Sequence, residues 1–277
     1  MRFDAGPQAR KTKIINMLKV IKIGGSVIDS EESLQKFCGD FAALEGPKIL
    51  VHGGGVMASR MQEQLGVPVK MIEGRRITDE DTIKVVTMVY AGWASKHIAA
   101  SLQSHGCNAM GLAGCDGSVI KSSRRAPKLL SDGCTTVDYG LVGDVTKESV
   151  NVAFLKTLLN EGITPVLCAI SHDGKGNLLN TNADTIASSV ASALGAELIY
   201  CFEKDGVLLD KDDPKSVIKH ISPEIYTKLK AEGKIVDGMI PKLDNAFSAL
   251  RQGSVCVRIK SADALCNAEA GTEISLQ

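Results

Sequence analysis

Two glycine runs, each directly after a short apolar segment, limit what this chain can fold into. Leu18 to Ile21 leads into Lys22-Ile23-Gly24-Gly25-Ser26, and Ile49 to Val51 leads into His52-Gly53-Gly54-Gly55. An apolar segment of that length bounded by glycine reads as a buried strand that ends in a sharp turn. Glycines there leave the backbone amides free of Cβ bulk, and where the chain turns into a helix those amides form a cradle for an anion. Lys22 adds a point charge beside the first run. One such run is ordinary turn chemistry. Two in one chain, with no other phosphate loop, point to an α/β fold that handles phosphate.

The remaining pattern agrees. Apolar segments at Leu18 to Ile23, Lys48 to Val51, Ala109 to Leu112, Thr164 to Ala169, Leu198 to Cys201 and Val255 to Ile259 alternate with helix-like stretches. That alternation is the sequence form of a mostly parallel open sheet covered by helices on both faces, a three-layer αβα sandwich. The clearest helix is expected from about Asp79 to Ser104, with Thr78 as its N-cap, Asp81 three residues on and Gly106 beyond its end. Its apolar stripe of Ile83, Val86, Val89, Tyr90, Trp93, Ile98 and Leu102 carries the only Trp, so the helix is both a core element and a candidate subunit interface. The polar, glycine-rich segment Ser171 to Asn177 is expected to form a hairpin turn or the crease between two lobes. The expected organisation is a tail over residues 1–16, one lobe over 17–172 and a second over 173–277.

A chain of 277 residues is long enough for one large α/β unit or two lobes. Its 32 basic side chains balance 32 acidic ones, so no whole-chain field draws it to nucleic acid or to an anionic membrane. It has no basic stretch interleaved with aromatics, and no run approaches the ~20 apolar residues of a membrane span. Small-molecule partners are expected, with no nucleic acid and no membrane. The eight cysteines show no C-x-x-C spacing and follow no secretory-type segment, so reduced, mostly buried thiols and a cytoplasmic location are expected.

Further polar signals lie in the second half. Leu179-Asn180-Thr181-Asn182-Ala183-Asp184 leads into a small-residue helix from Thr185 to Leu194, for which Asn182 and Asp184 are natural caps. Val236-Asp237-Gly238-Met239-Ile240-Pro241-Lys242 opens another helix with Pro241 in its first turn, which puts Lys242 where a helix N-terminus already attracts anions. Joined to Glu73-Gly74-Arg75-Arg76-Ile77-Thr78, to Gly140-Leu141-Val142-Gly143-Asp144-Val145, to Leu194-Gly195-Ala196-Glu197-Leu198 and to the closing Gly271-Thr272, these segments resemble the amino-acid kinase family, in particular its acetylglutamate kinase branch. The resemblance runs from about Leu18 to Ile274.

It implies ATP-dependent phosphorylation of the side-chain carboxylate of an N-acylated glutamate, as in arginine biosynthesis by the acetylated route. Acylation of the α-amine stops that amine from attacking the activated γ-carboxyl. By resemblance, Lys22 stabilises the transferring phosphoryl and Lys242 the leaving end, the amides of Gly25 and Gly54 bind equatorial oxygens, and Asp184 fixes both ammonium groups. A carboxylate acceptor is already ionised near neutral pH, so no general base is needed and His52 need not be catalytic. Gly53, Gly54, Arg76 and Asn180 are the implied substrate contacts, Arg76 taking the α-carboxylate with its planar fork. The nucleotide is expected at Lys22, Gly24 and Gly25, along Glu203, Lys204, Asp205, Gly206, Val207 and Leu208, and at Lys234, Ile235, Val236 and Lys242. Mg²⁺ would bridge the phosphate oxygens, with no protein metal site, and a homodimer is implied.

Three features depart from that pattern. Phe202-Glu203-Lys204-Asp205-Gly206 stands where the family usually has a Thr/Ser-Asp-Val-x-Gly run, Arg75 stands where an apolar residue is commoner, and Ser95 stands where the long helix often carries Asn. Arg75 opens N-succinyl-L-glutamate as an alternative substrate, because a succinyl tail carries a second carboxylate. Adjacent residues of an extended segment point to opposite sides, so Arg75 would equally face solvent if Arg76 faces the substrate. A dinucleotide-binding oxidoreductase is the remote alternative: Gly53-Gly54-Gly55-Val56-Met57-Ala58 fits G-x-G-x-x-A, with Glu73 about 20 residues on. It explains neither Lys22 nor Lys242.

Overall fold

Val20 and Ile21, neighbours in the first strand, are both withdrawn from water yet belong to different cores. Val20 packs with one apolar cluster and Ile21 with another, as do Ile49 and Leu50, and Leu198 and Ile199. Strand side chains alternate between faces, so a strand whose neighbouring residues are both buried must carry a packed layer on each side. The computed structural model describes residues 17–130, 132–210, 212–235 and 239–277. The tail expected over residues 1–16 and the nucleotide contact expected at Val236 lie outside the described residues.

In chain order the principal elements begin with β1 (Lys19–Ile23), α1 (Gly25–Asp29), α2 (Glu31–Ala43), β2 (Lys48–His52) and α3 (Gly55–Gln64). A small hairpin of β3 (Met71–Ile72) and β4 (Arg75–Arg76) precedes α4 (Glu80–Thr87), α5 (Ser95–Ser104) and β5 (Ala109–Leu112). Then come α6 (Val152–Asn160), β6 (Thr164–Cys168), the hairpin β7 (Ile170–His172) and β8 (Leu178–Asn180), α7 (Ala183–Leu194) and β9 (Glu197–Phe202). The chain closes with β10 (His220–Ile221), α8 (Pro223–Ala231), α9 (Ile240–Gln252), β11 (Cys256–Ser261) and β12 (Thr272–Ile274). Eight strands form one sheet in the order β10-β12-β11-β9-β1-β2-β6-β5, parallel throughout except where β11 meets β12. Helices α6, α7 and α9 cover one face and α2 and α5 the other, as the strand–helix alternation predicts.

β1 lies between β2 and β9, where the order of the sheet reverses. In open α/β sheets ligands bind outside the carboxyl ends of the strands at such a point. Both glycine runs and Phe202 lie at those ends. The Ser171 to Asn177 segment covers the end of β7 and the hairpin turn that follows it, with the β7–β8 register running from Ile170 opposite Asn180 to His172 opposite Leu178.

The long helix differs from expectation. It consists of α4, a π-helical stretch over Met88–Ala94, and α5. The wider π turns shift the phase of a 3.6-residue stripe, and Trp93 leaves the core to stand 63% exposed while Ile83, Val86, Val89, Tyr90, Ile98 and Leu102 stay buried. Its N-cap is Asp79, whose carboxylate accepts from the Thr82 amide at 2.9 Å. Thr78 does not cap because its hydroxyl is buried and occupied, donating to the Arg76 carbonyl and accepting from Asn180 Nδ2. The thiols also differ. Cys38, Cys107, Cys168 and Cys201 are buried, whereas Cys115, Cys134 and Cys266 lie on exposed turns and Cys256 is half-buried; all are free.

Candidate active site

Lys22, at the fourth position of β1, turns toward α7 and meets the Asp184 carboxylate at 2.8 Å, with side chains only 12% and 17% exposed. Asn182 makes this possible. It caps α7 alone, accepting from the amides of Asp184 and Thr185, which leaves the Asp184 side chain in the first turn free to reach the strand. Lys242 follows Pro241 in the first turn of α9. Its ammonium sits 3.9 Å from the centre of the Phe202 ring, and that of Lys22 sits 5.1 Å from the same ring. Asp184 therefore pairs with Lys22, and among the described residues it makes no ion pair with Lys242. Burial lowers the pKa of Lys242, partly offset by the charge of Asp184. Phe202, which departs from the family pattern in sequence, is a shared aromatic floor for both ammonium groups.

A cavity of about 220 Å³ opens beside this pair, lined by Gly53, Gly54, Arg76, Asn180 and Tyr90, with Arg75 and Arg125 at its rim. Arg76 is 8% exposed and held from behind by uncharged acceptors: Gln62 Oε1, the Gly55 carbonyl at 3.0 Å and Ser59 Oγ at 2.9 Å. Gln62, wholly buried on α3, is held in turn through its own amide nitrogen by the Pro68 carbonyl and Thr82 Oγ1. A buried guanidinium met by neutral oxygens keeps its full charge for an incoming anion. Thr78 links Arg76 to Asn180, since its one hydroxyl serves both. Arg75 is exposed but borders the cavity, as well as a neighbouring one it shares with Arg125 and Lys128. It is thus neither remote from the site nor buried within it.

A second cavity, about 390 Å³, is lined by Lys204, Gly206, Val207, Leu208, Lys234 and Ile235 together with Asp212 and Met239. Six of the expected nucleotide residues thus share one surface. Glu203 does not line it but acts on Lys242 through its charge, and Asp205 does not line it either. The loop is anchored by Thr272, whose hydroxyl accepts from the Val207 amide at 2.8 Å.

His52 ends β2 wholly buried, and burial pushes its pKa down to about 4. The residues that sequence reasoning missed are those working through tertiary contact. In the sequence Phe202 stands out only as a departure and Tyr90 only as part of an apolar stripe, and Gln62 is a lone polar residue facing inward on α3.

The fold and the paired cavities beside the carboxyl ends of the central strands, one lined by Arg76 and the other by Lys204 and Lys234, fit a phosphoryl-transfer enzyme. Residues 17–261 match the family model described as "Amino acid kinase family". An acetylglutamate kinase of Phocaeicola vulgatus is 51% identical over 261 residues, covering 93% of this chain and 98% of that protein. One of Cytophaga hutchinsonii is 50% identical over 252 residues, covering 90% and 92%. Among solved structures, N-acetylglutamate synthase from Neisseria gonorrhoeae, complexed with coenzyme A and N-acetyl-glutamate, aligns with a TM-score of 0.79 at 21% identity. That alignment covers 97% of this chain but only 62% of the synthase, and speaks to the fold. The chain belongs to the amino acid kinase family, and not to the dinucleotide-binding class that Gly53 to Ala58 formally fits.

One consequence concerns stability. An unfolded histidine takes up its proton near pH 6.5, whereas folded His52 resists it down to about 4. Between those values the unfolded state binds more protons, so stability falls as pH falls through that window and is unaffected above it. The full effect is about 3 kcal/mol. Urea midpoints at pH 7.5 and 5.0 should therefore separate for the native chain by more than for His52→Asn. Equal separations would show that His52 is not held neutral.

Proposed function

We propose that this enzyme transfers the γ-phosphoryl group of ATP to the γ-carboxylate of N-acetyl-L-glutamate, giving the acyl phosphate and ADP. The observation that carries the substrate is Arg76, a buried cation hydrogen-bonded to the uncharged acceptors Gln62, Gly55 and Ser59 at the floor of a cavity of about 220 Å³, the size for a small dicarboxylate. Arg76 takes the α-carboxylate, Asn180 and the Gly53 and Gly54 amides the rest of the substrate, and the γ-carboxylate then points toward Lys22. In this reading Lys22 and Lys242 neutralise the transferring and leaving oxygens, the Gly25 and Gly54 amides bind equatorial oxygens, and Asp184 orients Lys22. Residues 17–172 supply the acylglutamate lobe and residues 173–277 the nucleotide lobe. Among the described residues no group of three or more His, Cys, Asp or Glu is placed to hold a metal ion. In this reading Mg²⁺ arrives with the triphosphate and is held mainly by its oxygens.

The direct test traps the product. An acyl phosphate reacts with hydroxylamine to give a hydroxamate, which should accumulate only with ATP and N-acetyl-L-glutamate together; its absence refutes the proposal. Lys22→Ala and Lys242→Ala should each lower kcat on the order of 10²-fold. Arg76→Lys should raise KM for the acylglutamate and leave KM for ATP nearly unchanged, because a distant carboxylate is gripped equally in ground and transition states. An effect on ATP alone would remove Arg76 from the substrate site.

The second reading, N-succinyl-L-glutamate, is favoured by the cations Arg75 and Arg125 at the cavity rim. Arg125 is engaged by Asp144, its Nε at 2.8 Å, which makes Arg75 the partner for a second carboxylate. If succinylglutamate gives the higher kcat/KM and Arg75→Leu abolishes that preference, this reading holds. If the substitution alters neither substrate, Arg75 has no part in acyl selection.

A homodimer fits the exposed apolar face formed by Met61, Leu65, Met88 and Trp93, which border one groove beside the substrate cleft. Light scattering should give twice the chain mass, and Trp93→Glu should give one. A native monomer would refute the dimer.

A further inference from the structure

The amide that the proposed reaction needs at Gly54 belongs to a peptide whose direction is set by one neighbouring side chain. The imidazole Nδ1 of His52 lies 2.9 Å from the carbonyl oxygen of Gly53. A carbonyl oxygen only accepts, so Nδ1 carries the proton. Nε2 is then a bare acceptor, buried and without a hydrogen-bond partner among the described residues. A second proton there would have nothing to bond to, which accords with the low pKa of the ring. The imidazole is thereby confined to one neutral tautomer.

That tautomer decides which way the next amide points. The chain has no cis peptide among the described residues, and in a trans peptide the C=O and N–H point in opposite directions. With the Gly53 carbonyl drawn inward to His52, the Gly54 N–H faces outward, on the side of the cavity that both glycines line. Among the described residues it donates to no protein acceptor. Glycine runs rotate their peptides freely, so the direction must be imposed from outside. Gly54 also has φ 147°, and a Cβ there would meet the Tyr90 ring at 3.0 Å.

We infer that His52 is a positioning residue: its Nδ1–H latches the Gly53 carbonyl so that the Gly54 amide stays turned toward the transferring phosphoryl group. The inference rests on the phosphoryl-transfer function proposed above. His52 moves no proton in the reaction and touches no substrate. If the latch opens and the peptide turns over, a carbonyl oxygen faces the anionic substrates in place of an N–H, and loss of one such donor typically costs on the order of 10²-fold in turnover.

Two substitutions separate the latch from simple packing. His52→Asn keeps an N–H near the position of Nδ1, whereas His52→Gln carries its amide out toward the position of Nε2. His52→Gln should lower kcat on the order of 10²-fold with KM for ATP within about twofold, and His52→Asn should restore most of the loss. Full activity in His52→Gln, or equal losses in both variants, overturns the latch. A measurement on the native chain does not depend on either variant folding. Long-range ¹H–¹⁵N spectra of histidine-labelled protein should show one imidazole fixed as the neutral Nδ1–H form at pH 7, missing from His52→Asn. An Nε2–H form, or a ring titrating near its ordinary value, overturns it. Because this readout needs no turnover, a correct tautomer in a protein that makes no hydroxamate would leave the latch standing and remove the acylglutamate assignment.

Discussion

The ion pair between Lys22 and Asp184 ties the two halves of the site together. Lys22 stands on the central strand of the sheet, and Asp184 on the helix that packs beneath β1, β2 and β9. Nearly buried charges need either an opposite charge or hydrogen-bond acceptors, and buried ion pairs add little net stability because desolvation offsets the attraction. What this pair supplies is alignment. It fixes how far α7 reaches along the strand ends, and so where the preceding segment from Asn180 to Asn182 passes the cavity. The second ammonium, Lys242, and the guanidinium of Arg76 are left without a carboxylate in hydrogen-bonding contact among the described residues. A chain with balanced total charge thus gathers Lys22, Lys242 and Arg76 near the carboxyl ends of its central strands, the arrangement that the proposed function requires.

Much of this was legible in the sequence because period and punctuation are local. The glycine runs marked the strand ends, alternation of strands and helices gave the layered sheet, and Pro241 marked the first turn that carries Lys242. What was not legible depends on contacts distant in the chain. β10 and β12 are two and three residues long, too short to show a period, and they exist as strands only because the sheet edge pairs with them. The periodicity over Asp79 to Ser104 reads as helical, but a π stretch leaves no composition signal, so nothing in the sequence places Trp93 outside the core. Thr78 and Asp79 are both good capping residues. Only the burial of Thr78 between Arg76 and Asn180 decides between them. Asp184 posed the same ambiguity in reverse: it was a candidate cap, and the structure gives the cap to Asn182 and the carboxylate to Lys22.

Phe202 shows why an aromatic ring suits a position between two cations that must later serve an anion. A carboxylate there would pair with both ammonium groups and cancel the field that attracts a triphosphate. A small polar residue would leave room for water, which screens the same charges. The face of a phenyl ring holds a cation by about 0.5–2 kcal/mol, enough to order two flexible side chains over one surface. Two opposite charges at 4 Å in a partly buried setting attract by about 4 kcal/mol. In the function proposed above, the ring orders Lys242 and supports Lys22 beside Asp184 while the cleft is free, and a phosphate oxygen would outcompete it for either ammonium group. The residue that departs most visibly from the family pattern thus leaves the charge balance of the site unchanged and alters only how its cations are held.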